Sequence, residues 1–159
     1  MPTSSASTSV RIVAVGDLLL TAKPGTREPQ RGLDALSAEI CKIFASCDIA
    51  FANLECTMSS KNMVETEPRL FSSETQIRSL KKCGINLVTL GNNHTFDAKE
   101  EGFQQLTSLL NELEIPFCGA GNNLAEALAP AIIEINGVSL AFLAAVAESS
   151  GMYRFARQD

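Results

Sequence analysis

The sequence predicts an α/β fold in which short apolar strands alternate with amphipathic helices. Apolar runs such as Ile49 to Leu54 alternate with helix-like segments along most of the chain, and polar residues follow each run directly. An Asn136-Gly137 dipeptide joins the last two apolar runs. Alternating strands and helices indicate parallel βαβ units with right-handed crossovers, whereas Asn-Gly between two apolar runs is a strong hairpin signal. We therefore expect a parallel sheet followed by an antiparallel hairpin.

The first three elements are predicted as strand, helix and strand. The opening strand runs from Val10 to Val15 and is ended by Gly16-Asp17, and the next strand runs from Ile49 to Leu54. Between them, apolar residues recur at the spacing of one helical stripe. The residues of this stripe are Leu33, Leu36, Ile40, Ile43 and Phe44. A single amphipathic helix is the expected structure.

A polar loop and a short helix come next. The loop extends from Thr57 to Arg69 and is the least ordered internal segment by composition. The four residues from Ser73 to Gln76 have the spacing of a capping box, which satisfies backbone donors at the start of a helix. That helix is expected to end at Gly84, because glycine readily adopts the left-handed conformation of a C-cap.

The remaining elements are read in the same way. A third strand, Leu87 to Leu90, precedes a helix from about Lys99 to Leu113, whose inward residues are Phe103, Leu106, Leu110 and Leu113. The elements that follow are a brief strand at Pro116 to Cys118, a short helix near Leu124 to Leu128, and the hairpin strands Ala131 to Ile135 and Val138 to Val146. The last strand is apolar on both faces, which predicts a central position in a sheet.

Composition limits the class of protein. With 159 residues the chain is expected to form one domain, residues 10–159, after a flexible N-terminus of residues 1–9. A net charge of −5 argues against a nucleic-acid partner. No apolar run approaches the roughly 20 residues of a membrane span, and no signal peptide is recognisable. These features predict a cytoplasmic protein.

The five cysteines form no CxxC pair and are odd in number. They are therefore expected to be reduced, mostly buried thiols of a cytoplasmic protein. Cys56 is of most interest because it adjoins Glu55.

Polar side chains end three of the predicted strands. Asp17 ends the first, Asn53 and Glu55 end the second, and the loop from Asn92 to Asp97 follows the third. That loop contains His94, the only histidine of the chain. Each motif alone is more often a turn, a cap or a structural histidine. Together, at the carboxyl edge of one sheet, they favour a metal or phosphate site.

In their order along the chain, these motifs resemble the CapA-type capsule or poly-γ-glutamate biosynthesis family of the calcineurin-like metallophosphoesterase superfamily. The matching motifs are Gly16-Asp17 after the opening strand, Asn53-Leu54-Glu55, and Gly91-Asn92-Asn93-His94 with Asp97. Further matches follow at Gly119 to Asn122, Glu126-Ala127, Pro130 and Ile135 to Val138. The resemblance covers about Val10 to Ala145, which is nearly the whole chain.

The resemblance implies a layered αββα sandwich with two mixed sheets between helices. It also implies a site for two divalent metal ions at the strand ends, with Mn, Mg, Fe and Zn left as alternatives. The implied metal ligands are Asp17, Glu55 and Asn93. His94 would donate a proton to the leaving group, and Asp97 would orient His94 or a water molecule. Asn53 and Asn92, from the same motifs, are assigned to substrate binding.

The chain departs from the superfamily pattern in three ways. Leu19 stands where the superfamily has a histidine, and Glu55 stands where it has an aspartate. With His94 as the sole histidine, the imidazole ligands of a two-metal phosphoesterase are missing. The chain therefore resembles the N-terminal half of a family member.

Three functions remain open on this sequence. The first is a metal-dependent hydrolase acting on a phosphoester in capsule or poly-γ-glutamate synthesis. The second is a non-catalytic binding or assembly factor for an anionic polymer such as poly-γ-glutamate, and the third is a degenerate domain without activity. Self-association through a bare hairpin edge is also expected. The family resemblance leaves a membrane-associated or extracellular location open as well.

Overall fold

The computed structural model describes residues 9–20, 32–58 and 70–147. The flexible N-terminus predicted for residues 1–9 lies outside this part of the chain except for Ser9, as do residues 59–69 of the predicted polar loop. In chain order the elements are β1 (Ile12–Leu18), a 3₁₀ turn (Gly32–Ala35), α1 (Ala38–Ala45), β2 (Ile49–Leu54), β3 (Thr57–Met58), β4 (Phe71–Ser72), α2 (Glu74–Cys83), β5 (Leu87–Thr89), α3 (Lys99–Glu112), β6 (Phe117–Cys118), α4 (Leu124–Ala127), β7 (Ala131–Ile135) and β8 (Val138–Phe142).

The fold is mixed α/β, as predicted. Strands β1, β2, β5 and β6 form a four-stranded sheet in the order β1-β2-β5-β6, and every neighbouring pair is parallel. Strands β3 and β4 form a short parallel pair, and β7 and β8 form an antiparallel hairpin. Among the described residues, none of the helices combines the length and the hydrophobicity of a membrane span.

The four-stranded sheet separates two apolar layers. In β2, Ala50 and Leu54 point into the larger core with the helices, whereas Ile49 and Phe51 pack against residues of the hairpin. This alternation follows from the two-residue period of a strand. Because the four strands of the sheet are parallel, their carboxyl ends lie at a common edge.

The first strand was predicted to end at Val15, but β1 continues through Asp17 to Leu18. Its register against β2 shifts between Ala14, which pairs with Phe51, and Asp17, which pairs with Asn53. Three residue steps on β1 therefore match two on β2, so β1 carries one extra residue. Such a bulge reverses which face the following side chains occupy. Asp17 consequently lies on the same face as Asn53.

The prediction of a single amphipathic helix before β2 is wrong. A 3₁₀ turn and α1 replace it, and the Ser37 side chain caps α1 by accepting a hydrogen bond from the Ile40 backbone. Because the segment is divided into two elements, its five apolar residues do not lie on one helix face. Leu33 and Phe44 are buried, while Leu36, Ile40 and Ile43 are exposed. Serine at an N-cap starts a new helix because its oxygen satisfies an end donor.

The predicted caps of α2 are confirmed. Ser73 and Gln76 form a complete capping box, and Gly84 is the left-handed C-cap with φ of 92°. A side chain at Gly84 would also collide with Ala45, since a built Cβ lies 2.9 Å from its backbone nitrogen. Glycine is thus required there for both its conformation and its small size.

The expectation of five reduced cysteines is wrong. Cys41 and Cys83 form a disulfide with their Cα atoms 4.7 Å apart, while Cys47, Cys56 and Cys118 are free. The bond joins the first turn of α1 to the last residue of α2. A separation of 42 residues along the chain gives no sign of this proximity. The reduced cysteines expected of a cytoplasmic protein are therefore not what the structure shows at this pair.

The hairpin forms at the predicted turn, with positive φ at Asn136 (53°) and Gly137 (76°). The prediction that its second strand is central and reaches Val146 is wrong. Strand β8 ends at Phe142 and pairs only with β7 among the described residues. Alternate residues of both strands face the four-stranded sheet and the others face solvent. The partly buried side chains of β8 are Val138, Leu140 and Phe142, all on one face.

Candidate functional site

A row of three polar residues crosses the four-stranded sheet near its carboxyl edge. Cross-strand register aligns Asp17 with Asn53 and Asn53 with Thr89. We call Asp17, Asn53 and Thr89 the strand-end row. The extra residue in β1 places Asp17 in this row, and the ordinary parallel register of β2 and β5 places the other two.

Asn53 is the centre of the strand-end row. Its Nδ2 donates to Asp17 Oδ1 over 2.8 Å, and its Oδ1 accepts from Thr89 Oγ1 over 3.1 Å. The same Oδ1 also accepts from Asn92 Nδ2 over 3.1 Å. This hydrogen bond links the row to the loop after β5, so three strand ends share one hydrogen-bond network.

Glu55 lies beside Asp17 and forms a pair of acids with it. The hydrogen bond from Asn53, and then the one from Glu55, lower the pKa of Asp17. Burial raises the pKa of Glu55, as do the hydrogen bond to Asp17 and its negative charge, while His94 acts in the opposite direction. The two neighbouring carboxyl groups thus shift in opposite directions: the pKa of Asp17 is lowered and that of Glu55 is raised.

His94 and Asp97 form a buried pair behind these acids. His94 Nδ1 lies 2.8 Å from Asp97 Oδ2, and the two side chains are only 7% and 6% exposed. On the other side of the ring, His94 Nε2 lies 3.9 Å from Glu55 Oε1. Asp97 Oδ2 also accepts from the backbone nitrogen of Leu70 over 2.9 Å. With Nδ1–H bonded to Asp97, Nε2 faces the acid pair.

The loop that carries His94 is held by Asn92 and Thr95. Asn92 Nδ2 donates to the Leu54 carbonyl over 2.9 Å, and Asn92 Oδ1 accepts from the His94 backbone nitrogen over 3.0 Å. The Thr95 hydroxyl donates to the Leu90 carbonyl over 2.5 Å and lies 3.2 Å from Asn92 Oδ1. These contacts close a tight turn at the end of β5.

The structure thus brings together six of the seven residues predicted from the sequence. They are Asp17, Asn53, Glu55, Asn92, His94 and Asp97. Asn93 is half-buried in the same loop, between Asn92 and His94. Thr89 and Thr95 were not among the residues predicted from the sequence. Thr89 could have been found, because it is a threonine at the end of an otherwise apolar strand, where its hydroxyl needs a partner.

The donor set fits part of a divalent metal site. Carboxylate and amide oxygens suit hard divalent cations, and Asp17 and Glu55 already place two carboxyl groups in contact. Across residues 9–20, 32–58 and 70–147, no three His, Cys, Asp or Glu side chains are grouped as around one metal ion. The metal roles of Asp17, Glu55 and Asn93 remain predictions.

Cys56 is not part of this chemistry. It is fully buried behind Glu55, and the Ser72 hydroxyl donates to its sulfur over 3.0 Å. Burial raises the pKa of the Cys56 thiol to about 11, so the thiol is protonated and shielded. Buried thiols of this kind are structural and unreactive.

Comparison with known proteins places the chain in a family. Two proteins of Sinorhizobium fredii, Uncharacterized protein y4sH and Uncharacterized protein y4uA, are each 25% identical over 96% of this chain and 34% of their own length. Capsule biosynthesis protein CapA of Bacillus anthracis is 22% identical over 81% of this chain and 33% of its own length. The chain thus spans about a third of the length of the curated relatives it matches. Because residues 11–158 match the family described as Bacterial capsule synthesis protein PGA_cap, the chain belongs to that family.

Proposed function

We propose that this chain contributes the acid–base half of a hydrolytic centre that cleaves a phosphoester in capsule or poly-γ-glutamate synthesis. The observation that supports the proposal most is the buried contact between His94 and Asp97. It leaves the Nε2 atom of the His94 ring on the side of Glu55. A histidine held in one tautomer by a carboxylate is suited to proton transfer near neutral pH.

His94 would act on the oxygen that leaves phosphorus. A water molecule adds its oxygen to phosphorus, the bond from phosphorus to the leaving oxygen breaks, and that oxygen takes a proton from His94 Nε2. Asp97 stabilises the imidazolium before transfer and holds the ring in place, since its Oδ2 is itself fixed by the Leu70 backbone donor. The proton that the attacking water loses returns to His94 or passes to solvent.

Asp17 and Glu55 would hold divalent cations together with Asn93. Two acids at this edge would otherwise repel a phosphate ester, so anionic substrates need a cation here. When bound, such ions neutralise phosphoryl charge and make a bound water more acidic. The Asn53 donor keeps one oxygen of Asp17 in position.

A second candidate is a binding or assembly factor for an anionic polymer such as poly-γ-glutamate. It is supported by the two carboxyl groups of Asp17 and Glu55, which lie in contact at this edge of the sheet. A cation held by two carboxylates can bridge to a carboxylate of a polymer without acidifying water enough for hydrolysis.

The test is calorimetric titration with Mn²⁺ combined with a chromogenic phosphodiester assay. We expect weak Mn²⁺ binding that Asp17→Asn abolishes, and slow turnover that His94→Gln removes while Mn²⁺ binding persists. Asp34→Asn is the matched control, because Asp34 pairs with Lys82 on the surface. Mn²⁺ binding without turnover would favour the polymer-binding role. Mn²⁺ binding that is equal in the wild type and Asp17→Asn would refute both.

A further inference from the structure

We infer that Asn92 and Thr89 are positioning residues: they orient Asn53, and through it Asp17, instead of contacting substrate. Asn92 was assigned to substrate binding on sequence grounds, but both of its N–H groups and one side of its oxygen are used within the protein. The two N–H groups donate to Leu54 O and Asn53 Oδ1, and the oxygen accepts from His94 N and lies 3.2 Å from Thr95 Oγ1. An amide has two donors, so no N–H remains for a ligand, and its oxygen is already in contact with two groups of the protein.

The orientation of the Asn92 amide is set by backbone groups that cannot reverse. A carbonyl such as that of Leu54 only accepts, so the nitrogen of Asn92 must face it. A backbone N–H such as that of His94 only donates, so the oxygen of Asn92 must face it. The amide of Asn92 therefore cannot flip without losing both bonds.

This fixed orientation passes to Asn53 and then to Asp17. Because Asn92 presents a donor, Asn53 must present its oxygen to Asn92, and its nitrogen then points at Asp17 Oδ1. Thr89 adds a second donor to the same Asn53 oxygen. The Asn92 N–H, which can only donate, opposes a flip that would place an amide oxygen against the Asp17 carboxylate, and the buried Thr89 hydroxyl adds a hydrogen bond to the orientation that Asn92 selects.

The consequence is that the loop carrying His94 also determines where Asp17 points. Asn92 and Thr89 lie on the β5 side of the site, whereas Asp17 lies on β1 with β2 between them. Groups that orient metal ligands through hydrogen bonds commonly change metal affinity by about 10- to 100-fold when removed. This consequence, unlike the orientation itself, rests on the proposed metal-binding function.

The test uses three substitutions at the site and two matched controls. Thr89→Val removes the hydroxyl at similar volume, Thr89→Ser restores it, and Thr107→Val removes a buried hydroxyl that bonds only the α3 backbone. Asn92→Ala removes the fixed amide, and Asn86→Ala removes another bridging amide at the opposite end of the sheet, which bonds Ala50 and Asp48. The measurements are the side-chain amide NMR signals of Asn53 and the affinity for Mn²⁺.

We expect Thr89→Val and Asn92→Ala to shift or broaden the Asn53 amide signals and to weaken Mn²⁺ binding about tenfold. Thr89→Ser should leave the Asn53 amide signals in place and keep the Mn²⁺ affinity within about twofold of the wild type. The two controls should lower stability without changing the Asn53 signals or the Mn²⁺ affinity. Equal effects of Thr89→Val and Thr107→Val, or of Asn92→Ala and Asn86→Ala, on the Asn53 signals would overturn the inference. If the wild type binds no Mn²⁺, the proposed function fails, and the Asn53 signals alone decide the positioning roles.

Discussion

Burial increases step by step along the line of site residues. Asp17 is exposed, the Glu55 side chain is 18% exposed, and His94 and Asp97 are almost completely buried. The line therefore runs from solvent to an interior of lower dielectric constant, where hydrogen bonds to charged groups are stronger. This gradient suits an exposed binding end and a buried proton-donating end.

Asp97 should contribute strongly to stability as well as to chemistry. Asp97→Ala leaves the His94 ring nitrogen and the Leu70 backbone nitrogen without their shared acceptor. Because unsatisfied buried donors are costly, we expect a loss of about 3 kcal/mol in the free energy of unfolding. Urea denaturation measures it. Asp34→Ala is the surface control and should change stability by less than about 0.5 kcal/mol. Equal losses in both variants would show that the buried pair has no special role.

Cys56 should resist thiol reagents in the folded protein. Its raised pKa of about 11 and its burial leave almost no accessible thiolate at pH 8. Half-buried Cys47 should react first with Ellman's reagent, and denaturation without reductant should release three thiols in total. Labelling of Cys56 in the native state as fast as Cys47 would contradict the structure at this position.

At the level of elements, the extra residue in β1 decides which side chains meet. Without it, Asp17 would point to the opposite face from Asn53, because side chains alternate along a strand. Gly16 lies within the irregular part of β1, and a Cβ built there has no atom within 4 Å. A side chain at Gly16 would therefore not be crowded by neighbouring atoms. The bulge sets the direction of the Asp17 side chain, as bulges beside functional sites often do.

The Cys41–Cys83 disulfide should stabilise α1, whose packing is otherwise sparse. Phe44 is the one buried residue of α1, while Ile40 and Ile43 are exposed. Closing a loop of 42 residues is expected to contribute about 4 kcal/mol by restricting the unfolded chain. Urea denaturation with and without reductant measures this contribution. Cys41→Ser should be as unstable as the reduced wild type and insensitive to reductant, whereas Cys47→Ser should behave like the wild type. A wild type unaffected by reductant would argue that the bond contributes nothing.

At the level of the whole molecule, the second apolar layer covers the sheet on one side only in part. The hairpin packs on Ile49, Phe51 and Leu87, but Ile12 at the β1 edge remains 47% exposed. Leu128 and Leu143 line an apolar groove of about 210 Å³ beside the hairpin, and both are more than half exposed. Contiguous exposed apolar surface on proteins is a common feature of interaction sites.

We expect the isolated chain to self-associate through this surface. Within the described part of the chain, β7 and β8 pair only with each other, so both hairpin edges offer backbone groups to another strand. Sedimentation velocity at increasing concentration should show dimers or larger species. Ile132→Lys, on the solvent face of β7, should shift the distribution towards monomer, since Ile132 is 60% exposed. A sharp monomer at high concentration would contradict this expectation.

Local sequence determined those features that depend on a few neighbouring residues. The capping box at Ser73, the left-handed cap at Gly84 and the Asn136-Gly137 turn follow from backbone conformations that few residue types satisfy. The strand ends bearing the polar motifs were recognisable because apolar runs stop there, and their placement at one edge follows from parallel topology. The family resemblance was carried by these same motifs in order.

The tertiary structure alone decided everything that depends on partners distant in sequence. The Cys41–Cys83 bond, the exposure of Ile40 and the one-sided packing of β8 depend on which surfaces come together. The strand-end row likewise required the register shift in β1, which no local pattern announces. Periodicity reveals which residues share a face of an element, but packing decides whether that face is covered and by what. For this reason the candidate site residues could be predicted from the sequence, and only the fold showed how hydrogen bonds of Asn53 connect Asp17 with Asn92.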